Sequence, residues 1–239
     1  MVNQWADLFG QTKKAPPFDI VATGTSEGID DLLTGRADIA MASRPMSQDE
    51  VSAARDKGLA IRETTVARMG IAVIVNRDNP VSSVAVDKLA EIFSGGVRNW
   101  QTVGGPDEAI VVVRKDSGWS PDFFRRRIMG DKEFFGDAVM VDSKEDVVTE
   151  VANRSWSIGV TGMPEAIPAL DRISLVRMVN QGSAEFSTYA LSRPLFFFTI
   201  EGSPSVQRFL EYVTGEKAQE MIIQTGFYPA HQADAMSGE

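Results

Sequence analysis

The run Arg114-Lys115-Asp116-Ser117-Gly118-Trp119-Ser120 places a guanidinium, two hydroxyls and a glycine at the start of a helix-like pattern. That combination suits a small anion. Arginine supplies a formal charge and a fork of donors, and the first turn of a helix presents N–H groups that its own carbonyls leave unsatisfied. Thr25-Ser26-Glu27-Gly28 offers similar chemistry. Each segment follows a strand-like run and opens a helix-like one, so Thr25, Ser26, Ser117, Gly118 and Ser120 are candidate donors beside Arg114. The same residues also read as ordinary helix N-caps, and the pattern alone leaves both readings open. Trp119 stands where an anion loop normally has glycine, and a side chain there restricts the approach of backbone to ligand. A third candidate is "ASRPM", Ala42 to Met46, with Ser43 and Arg44 just past a strand, where α/β sheets carry ligand residues. Alternatively Arg44 is a surface arginine paired with Asp38 or Glu50. Asp116 either accepts from a protonated ligand, pairs with Arg114 or caps the next helix.

Catalysis finds little support. The single histidine, His231, lies in a polar tail, no His/Asp/Glu cluster suggests a metal, and no Ser nucleophile has an evident base. No cofactor is implied. Asp30-Asp31 fits a solvated helix face. The chain has 239 residues, no cysteine and a net charge of −9. Disulfides and thiolate metal sites are therefore excluded, and the acidic balance disfavours nucleic acid, whose phosphates need clustered Lys and Arg. It does not disfavour a small anion, which answers to local donors. No apolar run is long enough to span a bilayer. No secretory signal pattern precedes Val2, which leaves a cytosolic or already processed protein as the expectation.

The elements that would position these residues alternate between strand and helix patterns, an α/β arrangement expected to be mainly parallel. "VNQWADLFGQ" has helical spacing, "FDIVATG" reads as a short strand, and "TSEGIDDLLTG" is a helix stopped at Gly35. "ADIAMAS" is a strand, "SQDEVSAARDKG" a capped helix, and "GIAVIVN" an apolar strand covered on both faces. "RDNPVSS" is a polar break and a candidate crossing between lobes. Beyond it come helix "VDKLAEIFSG", a packed turn placing Trp100 in the core, strand "AIVVVRK", a helix from about Ser120, strand "AVMVD", helix "SKEDVVTEVANR" and strand "WSIGVTG". "LSRPLFFFTI" reads as the return crossing, followed by helices "SVQRFLEYVTG" and "EKAQEMIIQTG". Lobe one is thus expected at 1–76 and 192–239 and lobe two at 77–191, with a ligand cleft between them.

"TSEGIDDLLTGRADIAMASRPM", "VNRDNPVSSVAVDKLAEIFSGGVRNWQTVGGPDEAIVVVRKDSG", "SIGVTG" and "LSRPLFFFT" occur in this order. Together they resemble the phosphate-binding protein family of Pst-type ABC importers, type II periplasmic binding proteins, over nearly the whole chain. The resemblance implies two α/β lobes closing on a dehydrated oxyanion in a bacterial envelope compartment. Thr25, with Ser26 beside it, matches the family's Ser/Thr at the helix after the second strand, and Arg114 matches its arginine. The family's Ser-Gly-Thr aligns with Gly118-Trp119-Ser120, where only Ser120 keeps a hydroxyl. Arg44 stands where some members carry an acidic acceptor. The family opens with a strand and a phosphate loop, whereas this chain begins inside the following helix, so a strand-sized gap is expected. The function implied is a non-enzymatic solute-binding protein for phosphate or a similar oxyanion, working with an ABC permease on the periplasmic or extracellular side. Its site would be partly altered, and self-association through the gap would be available. The alternative is an interaction or signalling module of the envelope that retains the fold.

Overall fold

The computed structural model describes residues 1–12, 15–180 and 191–230; His231 lies outside them. In chain order the elements are α1 (Val2–Gly10), α2 (Thr25–Leu33), β1 (Ile39–Ala42), α3 (Gln48–Asp56), β2 (Ile61–Asn76), β3 (Ser83–Ala85), α4 (Val86–Phe93), β4 (Val111–Lys115) and α5 (Trp119–Phe124). They continue as β5 (Val139–Val141), α6 (Lys144–Asn153), β6 (Ser157–Gly162), α7 (Met163–Ala166), β7 (Ile173–Leu175), β8 (Arg177–Val179), β9 (Ser192–Ile200), α8 (Pro204–Thr214), α9 (Glu216–Ile223) and β10 (Phe227–Tyr228). The chain divides into two compact units, Met1–Met69 with Arg193–Glu239, and Gly70–Ser192. The segment Arg77 to Ser83 lies inside the second unit, and β2 itself runs from the first unit into the second.

In the first unit β1 pairs antiparallel with β9, Ile39 opposite Thr199 and Ala42 opposite Phe196. Strand alternation sends consecutive phenylalanines of β9 to opposite faces. Phe196 and Phe198 join Ile29 and Leu32 of α2, while Phe197 joins Trp5, Phe209 and Ile222 from α1, α8 and α9. The Trp5 indole N–H donates to the Ala218 carbonyl at 3.1 Å, giving the buried ring its polar partner. Helix α3 starts with a reciprocal capping box between Ser47 and Glu50.

The second unit follows the same rule. Ile71, Val73 and Val75 of β2 pack with Leu89, Ile92 and Phe93 of α4, whereas Ala72 and Ile74 pack with Val147, Val148 and Val151 of α6. Its strands run in the order β2-β6-β4-β5. Trp100 is fully buried and donates its indole N–H to the Trp156 carbonyl at 2.9 Å.

Two expectations need correction. The α/β class holds, but the sheets are mixed rather than mainly parallel. β4 pairs parallel with β5 and β6, and β3 with β8, whereas β2 is antiparallel to β6, β7 and β10, and β1 to β9. The long strands β2 and β9 oppose their neighbours in chain direction, which sequence periodicity does not report. "FDIVATG" forms no strand, and residues 15–24 belong to no helix or strand. Among the described residues, 16–23 make no backbone–backbone hydrogen bond. A strand exists only where a neighbour supplies the ladder, and strand propensity cannot replace that neighbour.

Candidate functional site

In the first unit Gly24, at φ 100°, turns the chain into α2, so Thr25 and Ser26 occupy its first turn. A residue with a side chain rarely adopts that φ. The Thr25 hydroxyl accepts from the Ser43 backbone N–H at 3.2 Å and lies 3.4 Å from the Ser43 hydroxyl. Arg44, two residues past β1, forms a fork with Glu50, each terminal nitrogen 2.8 Å from a different carboxylate oxygen. The guanidinium also donates to the Ser26 hydroxyl at 2.8 Å and to the Pro45 carbonyl at 3.0 Å. Glu50 accepts in addition from the Ser47 N–H at 2.7 Å. The Arg44 hydrogen bonds, foremost, hold its carboxyl down at about 2, and the Ser47 N–H adds to this. Thr25, Ser26, Ser43 and Arg44 therefore meet, and Glu50 of the two candidate partners takes the Arg44 charge.

In the second unit Arg114 stands near the end of β4, its side chain 15% exposed. The guanidinium carbon lies 4.8 Å from the centre of the Phe134 ring, within cation–π range. Its terminal contacts are long, 3.4 Å to the Lys115 carbonyl, 3.3 Å to the Asp116 carbonyl and 3.5 Å to the Asp116 carboxylate. The Arg114 Nε is buried and has no hydrogen-bond partner among the described residues. Buried N–H groups are almost always paired, so an orphan on a cation marks a place that awaits an acceptor.

The loop after β4 is exposed at Ser117 and Gly118, and the Ser117 carbonyl accepts from the Lys115 ammonium at 3.0 Å. Gly118, at φ 124°, is the N-cap of α5, and its N–H donates to Asp122 at 3.4 Å. Ser120 is buried. The Trp119 ring stacks on Phe123 at 5.2 Å and packs against the core that contains Phe93 and Phe124. Phe134 was missed by sequence reasoning, because nothing twenty residues from Arg114 signals that its ring will carry the guanidinium.

A groove of about 580 Å³ opens in the first unit, lined among others by Phe18, Ile20, Ala22, Met41 and Phe197. Ile20 and Val21 on its lining segment are 39% and 63% exposed. Among the described residues no group of three or more His, Asp or Glu side chains could hold a metal, and no helix is long and apolar enough to cross a membrane.

A model of the PBP superfamily domain matches residues 1–217. The chain belongs to this superfamily. Phosphate-binding protein PstS of Staphylococcus epidermidis is 27% identical over 213 residues, covering 82% of this chain but 65% of that relative. PstS of Staphylococcus saprophyticus is 26% identical, covering 92% of this chain and 73% of its own length. Among solved structures, one from Clostridium perfringens, assigned as a phosphate ABC transporter substrate-binding protein and holding bound phosphate, has a TM-score of 0.70 at 25% identity. It covers 95% of this chain and 93% of its own. An ABC-type phosphate transport receptor from Vibrio cholerae shares the fold at a TM-score of 0.64 and 24% identity, covering 95% of this chain and 94% of its own. The α/β architecture of this PBP-superfamily chain is that of type II periplasmic binding proteins.

Proposed function

We propose that the chain is a non-enzymatic solute-binding protein that takes an inorganic oxyanion, phosphate first, for ABC-type uptake, and works on the periplasmic or extracellular side of a bacterial envelope with a transporter permease. The observation that carries this reading is Arg114, a mostly buried guanidinium set over Phe134 with an unpartnered Nε. A buried cation short of acceptors gains most from a ligand that brings negative oxygens. The names of the relatives agree with it. Glu50 neutralises Arg44, and no acidic acceptor from the Arg44 position awaits a ligand proton, so discrimination between phosphate and sulfate is weak.

Calorimetry with inorganic phosphate and with sulfate at neutral pH tests the reading. A charge-assisted bond to a buried anion contributes about 1.5–3 kcal/mol, so Arg114→Ala weakens binding roughly tenfold to more than a hundredfold. An Arg114→Ala protein that binds phosphate normally overturns the assignment, and tight phosphate binding without sulfate competition overturns the weak discrimination.

The groove favours a second reading, an interaction module that self-associates. Its lining segment, residues 16–23, makes no backbone–backbone hydrogen bond among the described residues and alternates Phe18, Ile20 and Ala22, the properties of an edge that pairs with a second copy of itself. Light scattering that finds only monomer at high protein concentration removes this reading.

A further inference from the structure

Strand β1 ends its sheet. It pairs with β9 on one side, and among the described residues no strand pairs with its other side. Antiparallel pairing engages alternate residues, so half of the N–H and C=O groups of β1 face away from β9. Those groups have no backbone partner among the described residues, and the 16–23 segment on the opposite rim of the groove is in the same condition. The two rims run toward a clasp, in which the Ser43 N–H donates to the Thr25 hydroxyl at 3.2 Å. The groove is therefore closed at that end, and its mouth lies by Asp19 and Asp38, both exposed.

Two unpaired edges that face one groove supply what one more strand requires. A strand rises about 3.3 Å per residue, spaces its neighbours about 4.8 Å apart and fills a layer about 10 Å deep, which is roughly 160 Å³ per residue. The groove of about 580 Å³ thus holds about four residues, and β1 itself has four. Phe18, Met41, Val206 and Phe209 line it, and the exposed neighbours Ile20 and Val21 stand on its rim, so the incoming segment must be apolar. The mouth is acidic. Arg36 is committed to Asp30 and Asp31 at 2.7 Å each, whereas the side chains of Asp19 and Asp38 have no partner among the described residues.

We propose that this groove is a strand-addition site for another polypeptide, taking about four residues of an extended apolar segment with a lysine or arginine at the mouth beside Asp19 and Asp38. The 16–23 segment of a second copy fits less well. It brings Pro16 and Pro17, which have no N–H to donate, and sets another Asp19 in an acidic mouth. The occupant thus differs from that of the self-association reading, and the site is independent of Arg114.

The test uses the full chain and a fluorescein-labelled hexapeptide, KTVIVA, with ETVIVA and KTVPVA as controls, read by anisotropy and by amide hydrogen exchange. KTVIVA is expected to bind saturably and to slow exchange at residues 16–23 and 39–42. ETVIVA should bind about twofold to fivefold more weakly, the effect of one exposed ion pair, and KTVPVA at least about tenfold more weakly, because proline removes a ladder donor and stiffens the strand. Asp38→Lys changes an exposed side chain and should reverse the order of KTVIVA and ETVIVA. Absence of KTVIVA binding up to about 1 mM overturns the proposal, as does binding that protects other amides or that KTVPVA matches. An order of the two charged peptides that Asp38→Lys leaves unchanged removes the basic residue at the mouth. Protection of 16–23 and 39–42 that grows with protein concentration in the absence of peptide shows that a second copy fills the slot, and overturns the proposal in favour of self-association.

Discussion

Arg44 and Arg114 both stand at the C-terminal side of a strand, β1 and β4, and the protein treats them in opposite ways. Arg44 is 39% exposed and saturated, with a carboxylate fork, a hydroxyl and a carbonyl all at 2.8–3.0 Å. Arg114 is more buried and poorly served. Its ring contact with Phe134 is sound, but its oxygen contacts lie at 3.3–3.5 Å, and the Asp116 carboxylate that approaches it is 83% exposed. Contacts of that length contribute little, and an exposed partner is easily lost to water. The difference teaches that a charge's number of good partners, rather than its place after a strand, separates a brace from a ligand-seeking group.

The comparison breaks most readily at the support beneath Arg114. Gly159 of β6 lies beside β4, opposite Val113. A Cβ there would lie 2.8 Å from Val147 Cγ1, 3.0 Å from Val151 Cγ2 and 3.2 Å from the Val113 carbonyl oxygen. The glycine thus lets α6 settle against the sheet next to the strand that carries Arg114. Gly159→Ala forces α6 or β4 to move, and overpacking of this kind costs about 1–3 kcal/mol. The urea midpoint should fall, and oxyanion affinity should fall with it as Arg114 shifts. An unchanged midpoint would mean that β4 does not depend on this close approach.

A smaller effect, of opposite sign in the two regions, follows from partner satisfaction. Arg114→Met removes a buried and under-satisfied cation, so stability without ligand should hold or rise by up to about 1 kcal/mol. Arg44→Met removes a satisfied network and strands Glu50, so stability should fall by about 0.5–1.5 kcal/mol. Both are read from urea midpoints at neutral pH in anion-free buffer. If both variants lose stability equally, the contrast between brace and ligand-seeking group is wrong.

Elements whose signals are local were legible in the sequence. Ser47 with Glu50, Ser143 with Asp146, and the apolar spacing of Ile29, Leu32 and Leu33 each act within a few residues, and each marks a helix of the structure. Strands are legible only as far as their partners are. "GIAVIVN" lies between covering helices and forms the C-terminal part of β2, whose first part from Ile61 carries no such apolar run, whereas "FDIVATG" has an equally strand-like composition and forms none. Strands β3, β7, β8 and β10, of two or three residues, leave too short a run for alternation to show. The site divides similarly. Arg44 with Glu50 spans six residues and was one of two pairings open in the sequence, while Thr25 with Ser43 and Arg114 with Phe134 depend on how distant segments fold together.

The smallest predicted effect sharpens the Arg44 side of the contrast. Hydrogen bonds from Arg44, and then from the Ser47 N–H, lower the Glu50 carboxyl from its ordinary 4.5 to about 2. The folded protein therefore binds that proton less readily than the unfolded chain does. Its contribution to stability is fully present above pH 4.5 and is lost as the pH falls toward 2. Because Arg44 is partly exposed, solvent screens the pair, and the contribution is within the surface range of roughly 0.2–1 kcal/mol. Glu50→Gln removes the titrating group and isolates the term. The stability difference between the unaltered chain and Glu50→Gln should be constant from pH 7 to about 5, then shrink through the window below 4.5, as followed by urea midpoints at each pH. A difference that stays constant down to about pH 3 would show that Glu50 does not carry the charge of the brace, and that Arg44 is freer than its hydrogen bonds indicate.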